Sequence, residues 1–111
     1  MNTDSSFAQN RLVQLTEQLL SGRPVTGDII FLADEEAPGV SGATWRFEDD
    51  DHAFLKESGF RFMLMELLDT LIRHRAEQGK SHLQGIIHLE NSSPSINWLT
   101  TEQAEKRRMV E

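Results

Sequence analysis

In the segment LMELLDTLIRHRAEQGKSHLQGIIHLE, residues 64–90, the spacing of the apolar side chains changes along the chain. The first part has apolar residues at helical spacing: Leu64, Leu67, Leu68, Leu71 and Ile72. After Gly79, which is typical of a helix end, the period becomes two, so that Leu83, Ile87 and Leu89 share one face of a strand. A long helix followed by a half-buried strand predicts a fold that combines helices with a sheet.

The segments that flank the long helix predict two β-hairpins. Downstream, Asn91–Pro94 is turn material, and Ile96 and Trp98 alternate with polar residues behind it. Upstream, the apolar run in Val25–Ala33 and the alternation in Ala43–Glu48 predict two strands joined by an acidic loop. Each pair of strands is close enough in sequence to form a hairpin.

Further helical patterns precede and follow these strands. Apolar spacing predicts a first helix over residues 6–21. The long helix has two alternatives, because an interior glycine costs only ~1 kcal/mol. Either it runs over residues 52–78 with a weak point at Gly59, or a short turn precedes a helix that begins near residue 59. The tail, residues 100–111, forms a short helix capped by one of its two threonines, or frays.

The predicted order is α-β-β-α-β-β in a single domain of residues 1–111, with the core in residues 6–99. These elements assemble most simply as an α+β two-layer sandwich. Its four-stranded sheet is mainly antiparallel, and two helices cover one face. The other face is then polar and carries the following side chains: Arg46, Glu48, His82, Gln84, His88 and Glu90.

The composition is that of a globular domain, with 38% hydrophobic and 26% charged residues. The absence of cysteine excludes a disulfide framework, a thiolate nucleophile and a cysteine-based zinc site. The N-terminal residues lack the basic and apolar regions of a signal peptide, and no apolar run approaches the ~18 residues of a membrane span. We therefore expect a cytoplasmic protein without membrane association or cofactor.

The net charge of −7 is concentrated in one segment. Residues 28–57 contain nine acidic and two basic residues, so this segment alone accounts for the charge of −7. Binding to phosphates needs the opposite sign, which disfavours a nucleic-acid partner. A localised acidic patch indicates either a solvated surface that favours solubility or a docking site for a basic protein.

The four acids Glu48–Asp51, which precede His52, have three interpretations. Asp50 or Asp51 serves as the N-cap of the following helix and interacts favourably with its dipole. Alternatively, the acids attract a basic partner. The third interpretation is a metal site. Against it, the EF-hand spacing is absent, and contiguous acids on an extended chain point in alternating directions. Capping accounts for one aspartate and leaves three further acids beside it unexplained.

The sequence contains no catalytic signature. It lacks a G-x-S-x-G elbow, a G-x-G-x-x-G motif and the Gly-Lys-Ser/Thr of a phosphate loop. His82 and His88 share one face of a strand, but six residues separate them by about 20 Å, which is too far for one zinc ion. We therefore predict a protein that is not an enzyme and holds no metal.

The α-β-β-α-β-β order, the W-x-F-x-D-D segment before the long helix and the closing I-I-H-L-E…I-N-W hairpin resemble small acidic immunity proteins of YezG-like layout. These proteins belong to bacterial polymorphic-toxin and contact-dependent inhibition systems, and the resemblance spans Phe7–Leu99. It implies a protein that neutralises a basic cognate toxin, often a nuclease. The expected contact residues are Asp34, Glu35, Glu36, Glu48, Asp49, Asp50 and Asp51, with Glu57 as an outlier.

Two other functions fit the same features. A secretion chaperone or adaptor is also small, acidic and α+β, but it usually forms a homodimer that holds an extended segment of its partner. A monomer is expected of the immunity protein. A small metal-dependent enzyme that uses the acidic segment is the third alternative.

Overall fold

The computed structural model describes residues 3–20, 23–34, 36, 39–79 and 82–109, and of residues 3–6 and 108 it describes only the backbone. Within these ranges the elements follow in this order: α1 (Thr3–Leu19), β1 (Gly27–Ala33), β2 (Val40–Arg46), α2 (Asp49–Glu57), α3 (Phe60–Glu77), β3 (Gln84–Glu90), β4 (Ser93–Leu99) and α4 (Thr101–Met109). The predicted α+β class is confirmed.

The four strands form one sheet in the order β2-β1-β3-β4, and all three pairings are antiparallel. Both predicted hairpins are confirmed. The second hairpin turns at Asn91 and Ser92, whose φ angles of 51° and 67° match the two-residue turns favoured by twisted strands. Ser92 is held in this conformation by its hydroxyl, which donates to Arg23 O and accepts from Val25 N, both at 2.9 Å.

One face of the sheet is buried beneath α1 and α3. Strand alternation places Ile29, Phe31 and Ile87 on this face, and all three side chains are fully buried. They pack in one cluster with helix side chains that recur at helical spacing: Leu12, Leu64, Leu68, Leu71 and Ile72. Full burial of one such side chain contributes about 1.5–3 kcal/mol, so this cluster is the main source of stability.

The predicted long helix is two helices separated at Gly59. Gly59 has a φ of 82°, in the left-handed region, and a residue with this backbone cannot continue a right-handed helix. The Ser58 hydroxyl accepts a hydrogen bond from Phe60 N at 3.3 Å, at the start of α3. A single helix over residues 52–78 is therefore wrong. The alternative start near residue 59 is confirmed, except that a nine-residue helix precedes it in place of a short turn.

A C-terminal helix covers part of the sheet face that was predicted to be polar. Thr100 and Gln103 form a reciprocal capping box, with N–H···O distances of 3.0 and 3.1 Å, and this starts α4. Ala104 is fully buried, and α4 packs on the face that carries Ile30 and Ile86, which are 1% and 9% exposed. The prediction of two layers with two helices is therefore wrong. The described residues form four helices, which lie on both sides of the sheet.

Candidate functional site

The structure divides the predicted contact residues between the two ends of the β1–β2 hairpin. Because β2 returns antiparallel to β1, the loop after β1 and the segment after β2 lie at opposite ends. Asp34 and Glu36 lie at the loop end and Glu48–Asp51 at the other, about 20 Å away along seven-residue strands. They do not form the single patch expected from the sequence. Glu57 lies in the last turn of α2, and Glu35 falls outside the described residues.

The end of the sheet where β2 finishes gathers further acids. Asp28 is the second residue of β1 and lies at this end, and β3 finishes there with Glu90, because Gly27 pairs with Leu89. We call this surface the acidic end and define it by six residues: Asp28, Glu48, Asp49, Asp50, Asp51 and Glu90. Asp28 and Glu90 were not among the predicted contact residues. The pairing of β1 with β3 joins them, and local sequence patterns carry no signal for that pairing.

The first turn of α2 presents its acids without using them as caps. Glu48 is the N-cap residue by backbone conformation, but its side chain makes no capping hydrogen bond. Asp49, Asp50 and Asp51 already have helical backbone and lie in the first turn, where the helix dipole favours negative charge. The prediction that Asp50 or Asp51 is the N-cap is therefore wrong, whereas their favourable position at the helix start is confirmed.

Asp51 is the one acid of this turn that is engaged within the described residues. Its Oδ1 lies 2.9 Å from Nη2 of Arg23, and the Asp51 side chain is only 17% exposed. The Arg23 guanidinium also lies 5.5 Å from the ring centre of Phe54 on α2. Asp51 therefore anchors α2 to the segment before β1. By contrast, Asp49 and Asp50 are exposed and have no ion pair or hydrogen-bonded side chain within the described residues.

A histidine lies between two carboxylates on the outer face of the sheet. His88 Nδ1 is 2.7 Å from Asp28 Oδ1, and His88 Nε2 is 3.8 Å from Glu90 Oε1. The hydrogen bond to Asp28 raises the pKa of His88 above its ordinary value. Burial opposes this shift, and the negative charges of Asp28 and Glu90 add to it. Protonation of His88 therefore lowers the negative charge of the acidic end.

The side chains of the acidic end are arranged in a way that suits the attraction of cationic protein groups better than the binding of a metal ion. His52, which follows the four acids in sequence, packs edge-on against Phe47 with ring centres 5.8 Å apart. Within the parts of the chain that the structure describes, no three His, Asp or Glu side chains lie close enough together to hold a metal ion. None of the described helices is both long and apolar enough to cross a membrane.

Comparison of the chain with protein-family models, with curated proteins and with solved structures finds no match. The resemblance to immunity proteins therefore stays a prediction, and the acidic end is the feature from which a function can be inferred.

Proposed function

We propose that this chain is a non-catalytic binding protein that docks through its acidic end on a basic surface of a partner protein. In line with the predicted resemblance, the proposed partner is a basic toxin that the chain neutralises. The observation that carries the proposal is the first turn of α2. Its exposed Asp49 and Asp50 have no cationic partner within the described residues, and no capping hydrogen bond accounts for Glu48.

Like charges that lie close together repel and oppose folding. The acidic end must therefore be stabilised by contacts within the fold, or be maintained because it binds a partner. The helix dipole supplies part of such a stabilisation, at about 0.3–1 kcal/mol for a charge in the first turn. It does not account for Asp28 and Glu90, which the β1–β3 pairing brings to the same end. Their contacts with His88 account for those two acids, and the ion pair with Arg23 accounts for Asp51. A complementary basic surface on a partner would account for the remaining acids, Glu48, Asp49 and Asp50, which have no such contact within the described residues.

Negative charge at such a surface acts mainly on the rate of association. Complementary fields raise association rates by about 10–1,000-fold at low salt, and screening removes the effect as the ionic strength rises. Slow dissociation of the complex requires apolar contacts, and aromatic side chains often supply them at interfaces. Phe47 and Phe54 flank the first turn of α2 and are half-buried, so they are suited to this role.

The proposal is tested by neutralising the three acids of the acidic end that form no ion pair within the described residues. We would capture a basic protein from the cells that produce this chain, purify it, and measure its association rate with the wild type and with the Glu48→Gln/Asp49→Asn/Asp50→Asn variant. We expect the variant to associate about tenfold more slowly at 50 mM salt and at the wild-type rate at 500 mM. Asp51 is left intact because its ion pair with Arg23 is structural.

A matched control removes the same charge elsewhere. Glu17, Glu66 and Glu77 are exposed acids on α1 and α3, and the triple glutamine variant should associate at nearly the wild-type rate. Equal slowing by both triple variants would indicate a net-charge effect and would overturn the acidic end as the site. If the chain neutralises the captured protein, its co-expression should restore the growth of cells that produce that protein. Failure of co-expression to restore growth would contradict an immunity role.

A further inference from the structure

β2 lies at one edge of the sheet and has a neighbouring strand on one side only. In an antiparallel pair, every second residue directs its N–H and C=O groups away from its partner, so an edge strand offers a row of donors and acceptors. Within the described residues, no backbone group of Gly42–Trp45 bonds outside the β1–β2 pair. The space where a Cβ of residue 42 would lie is also empty to 4 Å.

The opposite edge of the sheet, formed by β4, is protected. Pro94 of β4 has no N–H, and its carbonyl accepts a hydrogen bond from Gln9 Nε2 of α1 at 2.6 Å. α1 and α4 both pack against β4. Along β2, the start is closed by the hydrogen bond from Val40 N to Asp69 Oδ1 and by a bulge at Ser41. Gly42–Trp45 carries neither proline nor charge.

The two groups of acids flank this open edge. Asp34 and Glu36 lie beyond the start of β2, and Glu48, Asp49 and Asp50 lie beyond its end. A strand added beside β2 would span the same ~20 Å, so its two ends would reach the two groups. The chemistry that fits is an extended segment of uncharged residues with a lysine or arginine cluster at each end.

We propose that β2 is a docking edge, at which an extended segment of the basic partner adds as a fifth strand of the sheet. This inference rests on the proposed function and specifies how the partner binds. It explains the division of the acids between two ends, which a single charged patch leaves unexplained. Main-chain hydrogen bonds to Gly42–Trp45 hold the segment, and its terminal cations fix its position along β2.

α3 supplies a surface for the side chains of the added strand. The Arg61 guanidinium lies 5.0 Å from the ring centre of Trp45, and Asp69 binds the start of β2. Met65 lies between them on the same helix stripe and is half-buried against the core. Because methionine adapts its shape to different neighbours, this stripe tolerates varied side chains on the incoming segment.

The test uses the peptide acetyl-KKVTVTVKK-amide and two matched controls. One control has N-methyl groups on its five central residues, which keeps the charge but removes the strand donors. The other has glutamate in place of every lysine. Each is titrated into the full-length, ¹⁵N-labelled protein, and amide hydrogen exchange is followed by NMR. At saturation, the lysine peptide should slow exchange of outward-facing amides in Gly42–Trp45 by at least about tenfold and leave β4 unchanged.

Single substitutions show whether both ends of β2 take part. Glu36→Gln and Asp49→Asn should each weaken binding of the lysine peptide by about two- to fivefold, the effect of losing one surface ion pair. Glu77→Gln, at the end of α3, should leave the affinity unchanged. A loss confined to Asp49→Asn would overturn the proposal that the segment spans β2.

The failure of this inference differs from the failure of the proposed function. If the N-methylated peptide binds as tightly as the lysine peptide, or if neither protects Gly42–Trp45, the docking edge is wrong while the acidic end still steers a partner. If the glutamate peptide protects the same amides, charge does not select the segment and the inference is also wrong. An unchanged association rate in the triple-acid variant would remove the proposed function itself.

Discussion

His88 takes its properties mainly from Asp28, which is 60 residues away in sequence, and in part from Glu90 on its own strand. Asp28, on the neighbouring strand, holds one ring nitrogen at 2.7 Å, and Glu90 lies 3.8 Å from the other. Ser95 is the register partner of His88 on β4 and carries no charge. The hydrogen bond to Asp28 and the negative charges of Asp28 and Glu90 therefore raise the pKa of His88.

The raised pKa of His88 predicts a pH-dependent contribution to stability. A group whose pKa is higher in the folded state stabilises the fold fully below its unfolded pKa of about 6.5, and this contribution is lost as the pH rises through the folded value. The wild type should therefore exceed His88→Asn in free energy of unfolding at pH 5.5–6 by up to about 1 kcal/mol, and by less at pH 8.5. Urea denaturation at both pH values measures this.

The Asp28→Asn background serves as the control for His88. Without this carboxylate, the main cause of the raised pKa is gone, so His88→Asn should have a nearly pH-independent effect. A difference between wild type and His88→Asn that is the same at both pH values would contradict the role of the pair.

Two glycines in the sheet provide a second test at this scale. A Cβ on Gly85 would overlap with Asn97 O and would lie 3.0 Å from Phe31 Cζ, whereas nothing lies within 4 Å of one on Gly42. Gly85→Ala should lower the free energy of unfolding by about 1–3 kcal/mol because the core and β4 must shift. Gly42→Ala should change it by less than about 0.5 kcal/mol. Chemical denaturation distinguishes them, and equal effects would show that β3 and β4 are not this closely packed.

Among the elements, α4 changes the architecture most although it is short. It has a low content of apolar residues, and its contribution to the fold comes from Ala104 and from the capping box at its start. Ile30 and Ile86, which face each other across β1 and β3, depend on this helix for their burial. A small residue is needed at position 104 because the helix lies directly on the sheet.

The packing of α4 is tested by placing a charge at its buried position. Ala104→Asp buries a carboxylate and should cost about 2 kcal/mol or more in free energy of unfolding. Lys106→Asp places the same side chain at an exposed position of the same helix and should cost less than about 1 kcal/mol. Urea denaturation of both variants is the measurement. If both substitutions have the same small effect, α4 does not pack on the sheet in solution.

At the scale of the whole molecule, stability and the proposed function lie in different parts of the fold. β1 and β3 occupy the middle of the sheet and contribute Ile29, Phe31, Ile87 and Leu89, all fully buried, to the main cluster. The acids lie at the ends of the strands and the open edge is on β2, where substitutions disturb the core least. A docking surface can therefore vary without loss of the fold.

This organisation predicts an order of amide protection. Amides of β1 and β3 should exchange most slowly, because they are bonded on both sides and lie over the main cluster, whereas outward-facing amides of β2 and the amides of α4 should exchange fastest. Native-state hydrogen exchange followed by NMR gives the order directly. Exchange of α4 amides as slow as that of β3 amides would show one cooperative unit in which the helix does not open separately.

Local periodicity predicted both hairpins, the helical segments that form α1 and α3, and the α+β class. The period of apolar side chains depends on a helical turn or a strand pleat, and both repeat within a few residues of the chain. The same sequence placed the excess negative charge in residues 28–57. It did not decide whether the helix continues through Gly59, because the free-energy cost of glycine in a helix is small compared with that of the tertiary contacts that decide this.

The amino-acid sequence by itself therefore determined both hairpins, the first helix, the helical segment that forms α3 and the position of the excess negative charge. Only the tertiary structure decided that α4 covers Ile30 and Ile86, that Asp28 and Glu90 join the acids of α2, and that Asp34 and Glu36 lie at the opposite end of the hairpin. The physical reason is range. Periodicity is a property of neighbouring residues, whereas strand order and helix packing depend on contacts between segments that are distant in the chain.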